Sequence, residues 1–148
     1  MILDDNLEFA DALTVPTATG RALLGDVVDS DVVRDLGMGK QMYVAIQVTT
    51  AILSGGSATV AFELVSDAQA AILTDDTATK HGQTFAIPKA QLTVGAEFYI
   101  PIPPESPAYE RFLGIISNVG TAALTAGKVN AFLTLEARGV KAYPDAVN

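Results

Sequence analysis

Apolar and polar side chains alternate along much of the chain, and this alternation predicts β-strands. The first clear run spans residues 42–48, where every even position is apolar, and a second spans residues 58–64. Side chains two positions apart share one face of a strand, so each run has an apolar face and a polar face. A Ser-Gly-Gly-Ser turn at residues 54–57 separates the two runs. This arrangement predicts a β-hairpin.

Three later segments carry related patterns. Residues 98–102 and 127–137 alternate, whereas residues 109–119 carry apolar side chains on both faces. The mixed pattern predicts a strand that is covered on both sides. In the last segment, the residues predicted to face inward are Val129, Ala131, Leu133 and Leu135. Shorter strands are predicted at residues 13–15, 22–28 and 84–87.

Clusters of Gly, Pro, Asp and Ser divide these segments, and short strands separated in this way indicate an all-β sandwich or barrel. The one competing signal is a capping-box spacing at residues 66–69, for which we expect a single short helical turn. The length of 148 residues fits one domain. Within it, we predict an N-terminal arm at residues 1–12 and a flexible or partner-ordered tail at residues 140–148.

Net charge limits the kinds of partner. The chain has 9 basic and 17 acidic residues, a net charge of −8, so we expect neither nucleic acid nor an anionic membrane to bind. It has no signal-peptide pattern, no segment of membrane-helix length and no cysteine, which predicts a soluble protein made in the cytoplasm. Because 49% of residues are hydrophobic and only 18% charged, we expect another chain to cover part of the apolar surface.

Reactive side chains are too few to predict an enzyme. His81 is the only histidine and lies in a polar stretch, so we expect a solvent-exposed loop residue without a catalytic or metal-binding role. The glycines at residues 37–40 lack the spacing of a phosphate-binding loop. Acidic pairs at residues 4–5, 29–31 and 75–76 lack the calcium-loop pattern, and we expect them to be solvated or to cap turns. We therefore predict no catalytic residue, no cofactor and no metal.

A sugar-binding sandwich is the alternative from a different class of protein. Such modules stack sugar rings on aromatic side chains, and this chain has no tryptophan. Its tyrosines are scattered along the sequence, at positions 43, 99, 109 and 143. The sequence therefore gives little support to a carbohydrate-binding module.

The order of several short segments resembles the capsid cement proteins of tailed bacteriophages. The segments are IPKAQLTVG at residues 87–95, the proline-rich stretch followed by YERFLGI at residues 109–115, and TAGKVNAFLTL at residues 125–135. Three shorter stretches also resemble that family: MILD at residues 1–4, FADA at residues 9–12 and DLG at residues 35–37. The resemblance spans nearly the whole chain.

This resemblance implies a β-sandwich of jelly-roll type with antiparallel strands. It also implies a homotrimer on the outer surface of an icosahedral phage head, at local threefold positions, where it binds the major capsid protein and stabilises the capsid lattice. Catalytic residues are not implied, because the family has none. Within the same class, another virion component such as a tail or baseplate sandwich is the alternative.

Stiff and apolar segments supply the predicted contacts with a partner. Residues 101–107 contain four prolines, which end one strand and stiffen the link to the next, and a stiff loop loses little entropy on binding. A rigid link without a partner is an equally good interpretation. The apolar N-terminal residues are expected either to dock onto a neighbour or to close the sandwich's own edge. The predicted contact residues are Leu3, Leu7, Phe9, Pro101, Pro103, Pro104, Pro107 and Tyr109.

Overall fold

The alternating segments form ten strands in the computed structural model, which describes residues 5–33, 36, 39–104 and 107–137. The strands are β1 (Glu8–Thr14), β2 (Gly20–Leu23), β3 (Val28–Asp29), β4 (Tyr43–Leu53), β5 (Thr59–Asp67), β6 (Thr79–Gln83), β7 (Ile87–Pro88), β8 (Glu97–Pro101), β9 (Phe112–Gly120) and β10 (Ala126–Thr134). Helical structure in the described residues is limited to two 3-10 turns, Asp5–Leu7 and Lys89–Gln91. Neither of these turns is long enough to cross a membrane.

The strands form two antiparallel sheets. The first sheet has the order β1-β10-β4-β8, and the second has the order β2-β9-β5-β6, with β3 added to β9 and β7 added to β5. The chain crosses from the first sheet to the second after β1, returns at β4, crosses again at β5, and repeats the pattern through β8, β9 and β10. This order is that of a jelly roll. The predicted all-β sandwich of jelly-roll type is confirmed.

The predicted hairpin between residues 42–48 and 58–64 is wrong. Both runs form strands, but β4 lies in the first sheet and β5 in the second, so the turn at residues 54–57 crosses the sandwich. An alternating pattern requires only that each strand bury one face, and two strands satisfy it equally well edge to edge or face to face across a core.

The core lies between the sheets and takes the apolar faces of both. Val44 and Ile46 of β4 and Phe62 and Leu64 of β5 are fully buried in it. The inward positions predicted for Val129, Ala131 and Leu133 are confirmed, whereas Leu135 lies beyond the end of β10 and is exposed.

Strand β9 is covered on both faces, as its mixed pattern predicted. Leu113 and Ile115 face the core, while Ile116 lies on the outer face in a smaller cluster with Val65 and Ile72. Ile72 comes from the loop between β5 and β6, residues 68–78, which therefore folds over the outer face of the second sheet. A Cβ atom added to Gly114 would lie 2.6 Å from Cδ1 of Ile72, so the glycine makes room for this loop.

Several predicted boundaries need correction. The N-terminal arm is shorter than residues 1–12, because β1 begins at Glu8 and pairs with β10. Residues 66–69 form no helical turn, since β5 continues through Asp67. The segment at residues 22–28 divides into β2 and β3. The tail at residues 140–148 lies outside the described residues.

Candidate functional site

One end of the sandwich collects most of the residues predicted to contact a partner. At this end Tyr43, the first residue of β4, pairs with Pro101 at the end of β8 and with Thr134 at the end of β10. The loops that follow β3, β5 and β8 all leave the sheets here, because Phe112 at the start of β9 pairs with both Asp29 and Asp67. We call this end, with loops 30–42, 68–78 and 102–111, the proline end.

The eight predicted contact residues fall into three groups. Leu7, Pro101, Pro103, Pro104 and Pro107 lie at the proline end with exposed or half-buried side chains. Phe9 and Tyr109 are only 1% and 3% exposed, so their side chains pack inside this chain and present almost no surface to a partner. Leu3 lies outside the described residues.

Further apolar side chains are exposed at the proline end, and the sequence analysis did not single them out. They are Val32 and Val33, which follow β3, Leu73, which lies on the loop after β5, and Leu135, which follows β10; Val33 is 69% exposed. Exposed apolar residues also occur towards the opposite end, at Leu53, Phe85 and Val94. The two ends therefore offer two separate apolar surfaces that experiments can compare.

The described part of the connector, residues 102–104 and 107–111, is held by hydrogen bonds within itself and to residues 41 and 42, which precede β4. The Tyr109 hydroxyl donates a hydrogen bond of 2.7 Å to the Pro103 carbonyl. The Ile102 amide donates to the Met42 carbonyl at 2.9 Å, and the Gln41 side chain donates to the Ile102 carbonyl at 2.8 Å. Proline restricts the backbone between these anchors. The sequence-predicted stiffness therefore has two sources, the rings and the hydrogen bonds.

A groove of about 430 Å³ lies beside the connector, between the edge strands β6 and β8. Its walls are mainly apolar and include Pro101, Pro103 and Pro104 on one side and Gly82 on the other. The two strands approach closely here: a Cβ atom added to Gly82 would lie only 2.9 Å from Cγ2 of Ile100. The groove thus joins the prolines to β6, a strand that the sequence analysis did not predict.

His81 lies on β6 next to this groove and is not the exposed loop residue that the sequence suggested. The side chain is only 9% exposed, and its ring stacks on Tyr109 with the centroids 3.9 Å apart. Nε2 lies 2.7 Å from Oγ of Ser66, which also accepts the Glu110 amide hydrogen at 3.1 Å. The prediction failed because the Thr-Lys-His-Gly-Gln sequence of β6 has no apolar alternation to indicate a strand.

Burial lowers the pKa of His81, although the Glu110 carboxylate and the Pro107 carbonyl oppose that change. Burial also raises the pKa of Tyr109 to about 12. Ser66 is fully buried, so its hydroxyl has no access to a substrate despite the serine–histidine contact. The arrangement is suited to fastening the connector and not to nucleophilic attack, which requires an accessible hydroxyl.

The acidic pairs in the described residues bind protein groups. Both carboxylate oxygens of Asp29 accept hydrogen bonds from Arg111, at 2.7 and 2.8 Å, and these bonds hold the pKa of Asp29 at about 2. Asp75 accepts the amide and hydroxyl hydrogens of Thr77, which confirms that this acid caps a turn. Nowhere in the described part of the chain do three potential ligands of the His, Cys, Asp or Glu type gather as a metal site would require.

Two tyrosines that are distant in sequence meet on the outer face of the first sheet. Tyr43 and Tyr99 contact edge to face with ring centroids 6.5 Å apart, because β4 pairs with β8. The Tyr99 hydroxyl donates to Glu97, whose other oxygen accepts the Gln47 amide. These two tyrosines are scattered along the sequence, but the fold makes them neighbours. Its polar partners lie within the chain, so the pair is part of an internal network.

A search of curated proteins gave no match. A family model described as Bbp16 matches residues 9–133, a span that runs from β1 to β10 and covers well over half of the chain. The matched span contains both sheets, the connector and the loop that covers β9. The chain therefore belongs to the Bbp16 family, a phage-type protein family.

Proposed function

We propose that this protein is a capsid cement protein, which binds the outside of an icosahedral phage head and stabilises the lattice of the major capsid protein. The observation that carries the proposal is membership of a phage-type family over residues 9–133. The segment order that resembles cement proteins gives the role its finer definition. No step of this role needs a catalytic group or a cofactor.

The shape and surface of the molecule support this proposal. A cement protein needs a rigid block, and two sheets with a shared core provide one. It also needs exposed apolar surface to meet the shell, and the proline end presents Leu7, Val32 and Val33 beside the fastened connector. Because the described part of the connector is already held by hydrogen bonds, little conformational entropy is lost when it binds. We therefore assign the capsid contact to the proline end.

The assembly is proposed to be a homotrimer at local threefold positions. Each of three identical contacts can be weak, since attachment of one subunit raises the effective concentration of the other two. A ligand that binds only the intact shell stabilises it by mass action, by roughly 2.7 kcal/mol per site at a hundredfold excess over Kd. Occupied heads are therefore expected to resist heat better than bare heads.

The direct test compares phage heads with and without the protein for the temperature at which DNA escapes. We expect a higher release temperature on occupied heads, and the release temperature should rise with occupancy. Equal release temperatures at full occupancy would refute cementing and leave a decorative role. Binding to isolated tails or baseplates, or to glycans but not to heads, would favour the alternative virion role or the carbohydrate-binding role.

Matched variants at the two ends test which surface meets the shell. Val33→Ser at the proline end should weaken attachment, whereas Phe85→Ser at the opposite end should not, although both side chains are more than half exposed. The double change Pro103→Gly with Pro104→Gly should weaken attachment about tenfold, because the more flexible connector must be ordered on binding. The reverse pattern would place the contact at the end that carries Phe85.

A further inference from the structure

His81 sits where the connector meets the second sheet, and every contact it makes bears on the connector. Tyr109, on which its ring stacks, holds the Pro103 carbonyl through its hydroxyl. Ser66, which bonds to Nε2, also holds the Glu110 amide. The imidazole thus lies between two anchors of the same segment.

The hydrogen bonds assign the proton positions. In the described residues, the Ser66 hydroxyl contacts the Glu110 amide, which can only donate to it, and His81 Nε2. The hydroxyl hydrogen is therefore directed at Nε2, which accepts it when unprotonated, and the ring proton then lies on Nδ1, a buried atom with no hydrogen-bond partner among the described residues. Nδ1 carries a hydrogen in both protonation states, so the difference between them arises at Ser66. From this network we assign the neutral tautomer with its hydrogen on Nδ1, in which Nε2 of His81 accepts the hydrogen bond that the Ser66 hydroxyl donates.

Protonation of the ring reverses this hydrogen bond. An imidazolium ion donates from both nitrogens, so Nε2 would donate to Ser66 and the Ser66 hydrogen would lose its acceptor inside the protein. An unpaired buried donor is unfavourable, and a buried positive charge adds to the cost. Both costs disappear if the connector lifts away and lets water reach Ser66 and His81.

We propose that His81 is a pH-sensitive lock, which holds the connector to the sheet when neutral and releases it when protonated. The inference concerns the fold itself and does not depend on the cement role. It gives the protein a way to alter the proline end in response to acid, a property that the sequence alone did not suggest.

The groups around His81 set the direction of the effect. Glu110 is the charged neighbour on the connector and favours the protonated ring, Tyr109 is an uncharged phenol, and β5 contributes the uncharged Ser66. Lys80 of the same strand pairs with Glu63 across the sheet's outer face. On the side of β8, Ile100 approaches the adjacent Gly82.

Burial outweighs the charge of Glu110, so the pKa of His81 is lowered in the closed state. In an open connector the ring regains its ordinary pKa of about 6.5. The closed connector is therefore fully favoured above about pH 6.5, and it loses that advantage as pH falls through the lower value of the closed state. At low pH, each unit of difference between the two pKa values raises the equilibrium constant for opening of the connector tenfold.

The test follows the backbone amide of Glu110 by hydrogen exchange, corrected for the intrinsic pH dependence, while the single histidine ring is titrated by NMR. In the wild type we expect protection of this amide to begin to fall near pH 6.5 and to level off at the lower pH at which the ring of the closed protein titrates, with a total fall of about tenfold for each unit of pKa difference. The matched variant is His81→Gln, whose side-chain oxygen can accept from Ser66 but does not titrate. Its protection should remain constant.

Two results would overturn the proposal. One is pH-independent protection of the wild-type Glu110 amide while the ring titrates. The other is an equal loss of protection in His81→Gln, which would assign the effect to carboxylates. If that variant does not fold, the wild type alone decides the question, since a fall in protection outside the range between about pH 6.5 and the ring titration would separate the two events.

Discussion

Glu63 keeps its carboxylate on the covered outer face of the second sheet, where its side chain is 4% exposed. Two cations offset this charge. Oε2 of Glu63 lies 2.7 Å from Nη2 of Arg21 and 3.2 Å from Nζ of Lys80. Arg21 also binds Asp76 and, at 3.2 Å, the Thr74 carbonyl, both from the loop of residues 68–78. One buried acid therefore organises the charges that fix this loop to β2 and β5.

Removing that charge should destabilise the fold. We expect Glu63→Gln to lower the free energy of unfolding by about 3 kcal/mol, because Arg21 stays mostly buried and keeps only the exposed Asp76 as a carboxylate partner. Lys80→Ala is the matched control, with an expected loss within about 0.5 kcal/mol, since Lys80 is 41% exposed. Denaturant unfolding measures both values. Similar losses of unfolding free energy in the two variants would contradict this account of the charges around Glu63.

The ion pair between Asp29 and Arg111 predicts how the stability of the fold changes in acid. Its carboxylate is held ionised by Arg111, with a pKa of about 2 against an ordinary value near 3.9. The stabilisation is therefore present above about pH 4 and is lost as pH falls through 2. We expect Asp29→Asn to melt below the wild type at pH 7 and to match it near pH 2. The control is Asp31→Asn, because Oδ1 of Asp31 lies 4.0 Å from Nη2 of Arg111. This variant should differ less from the wild type in melting temperature at pH 7.

At the scale of elements, the loop of residues 68–78 is held by an apolar contact as well as by the charges around Glu63. Ile72 is 5% exposed over Gly114, whereas its neighbour Leu73 is 56% exposed. We expect Ile72→Ala to lower the free energy of unfolding by about 2 kcal/mol and Leu73→Ala by less than about 0.5 kcal/mol. Limited proteolysis should also cleave the loop faster in Ile72→Ala. Equal effects of the two substitutions would show that the loop is held in another way.

The sequence predicted those elements whose burial shows in an alternating pattern. Strands β4, β5, β8 and β10 were found in this way, and β9 was recognised from apolar side chains on both faces. Strand β6 was missed because its buried member is a histidine between polar neighbours. Period-two alternation also gives no information on which sheet a strand joins, so the hairpin was placed wrongly.

The candidate site was predicted less completely than the fold. The prolines could be identified because four lie within seven residues. Their anchors could not: the hydrogen bond between Tyr109 and Pro103 lies within the connector and leaves no pattern in the sequence, and the contact of His81 with Ser66 depends on the pairing of β6 with β5. The exposure of Val33 was also not predicted, although Asp31 and Arg34 flank the two valines, because an adjacent apolar pair has no alternation to show which side chain is exposed.

At the scale of the whole molecule, the number of chains in the assembly can be measured directly. We expect light scattering to give about three times the chain mass of 15.4 kDa, because a closed symmetric assembly covers apolar surface. Val33→Ser and Phe85→Ser, which change opposite ends, identify the end that joins the copies. A strict monomer in solution, together with single copies on heads, would contradict the trimer and leave the cementing test unaffected.

The pairing of β1 with β10 has a practical consequence for engineering. Glu8 lies opposite Phe132, so the first strand begins and the last strand ends at the proline end. The turn at residues 54–57 lies at the other end, and a Cβ atom on Gly55 would meet nothing within 4 Å. If the proposed capsid contact lies at the proline end, Gly55 is therefore a better place for a foreign peptide than the start of β1 or the end of β10. With the proline end against the shell, a peptide carried at Gly55 would point away from the head and be available to antibodies or receptors.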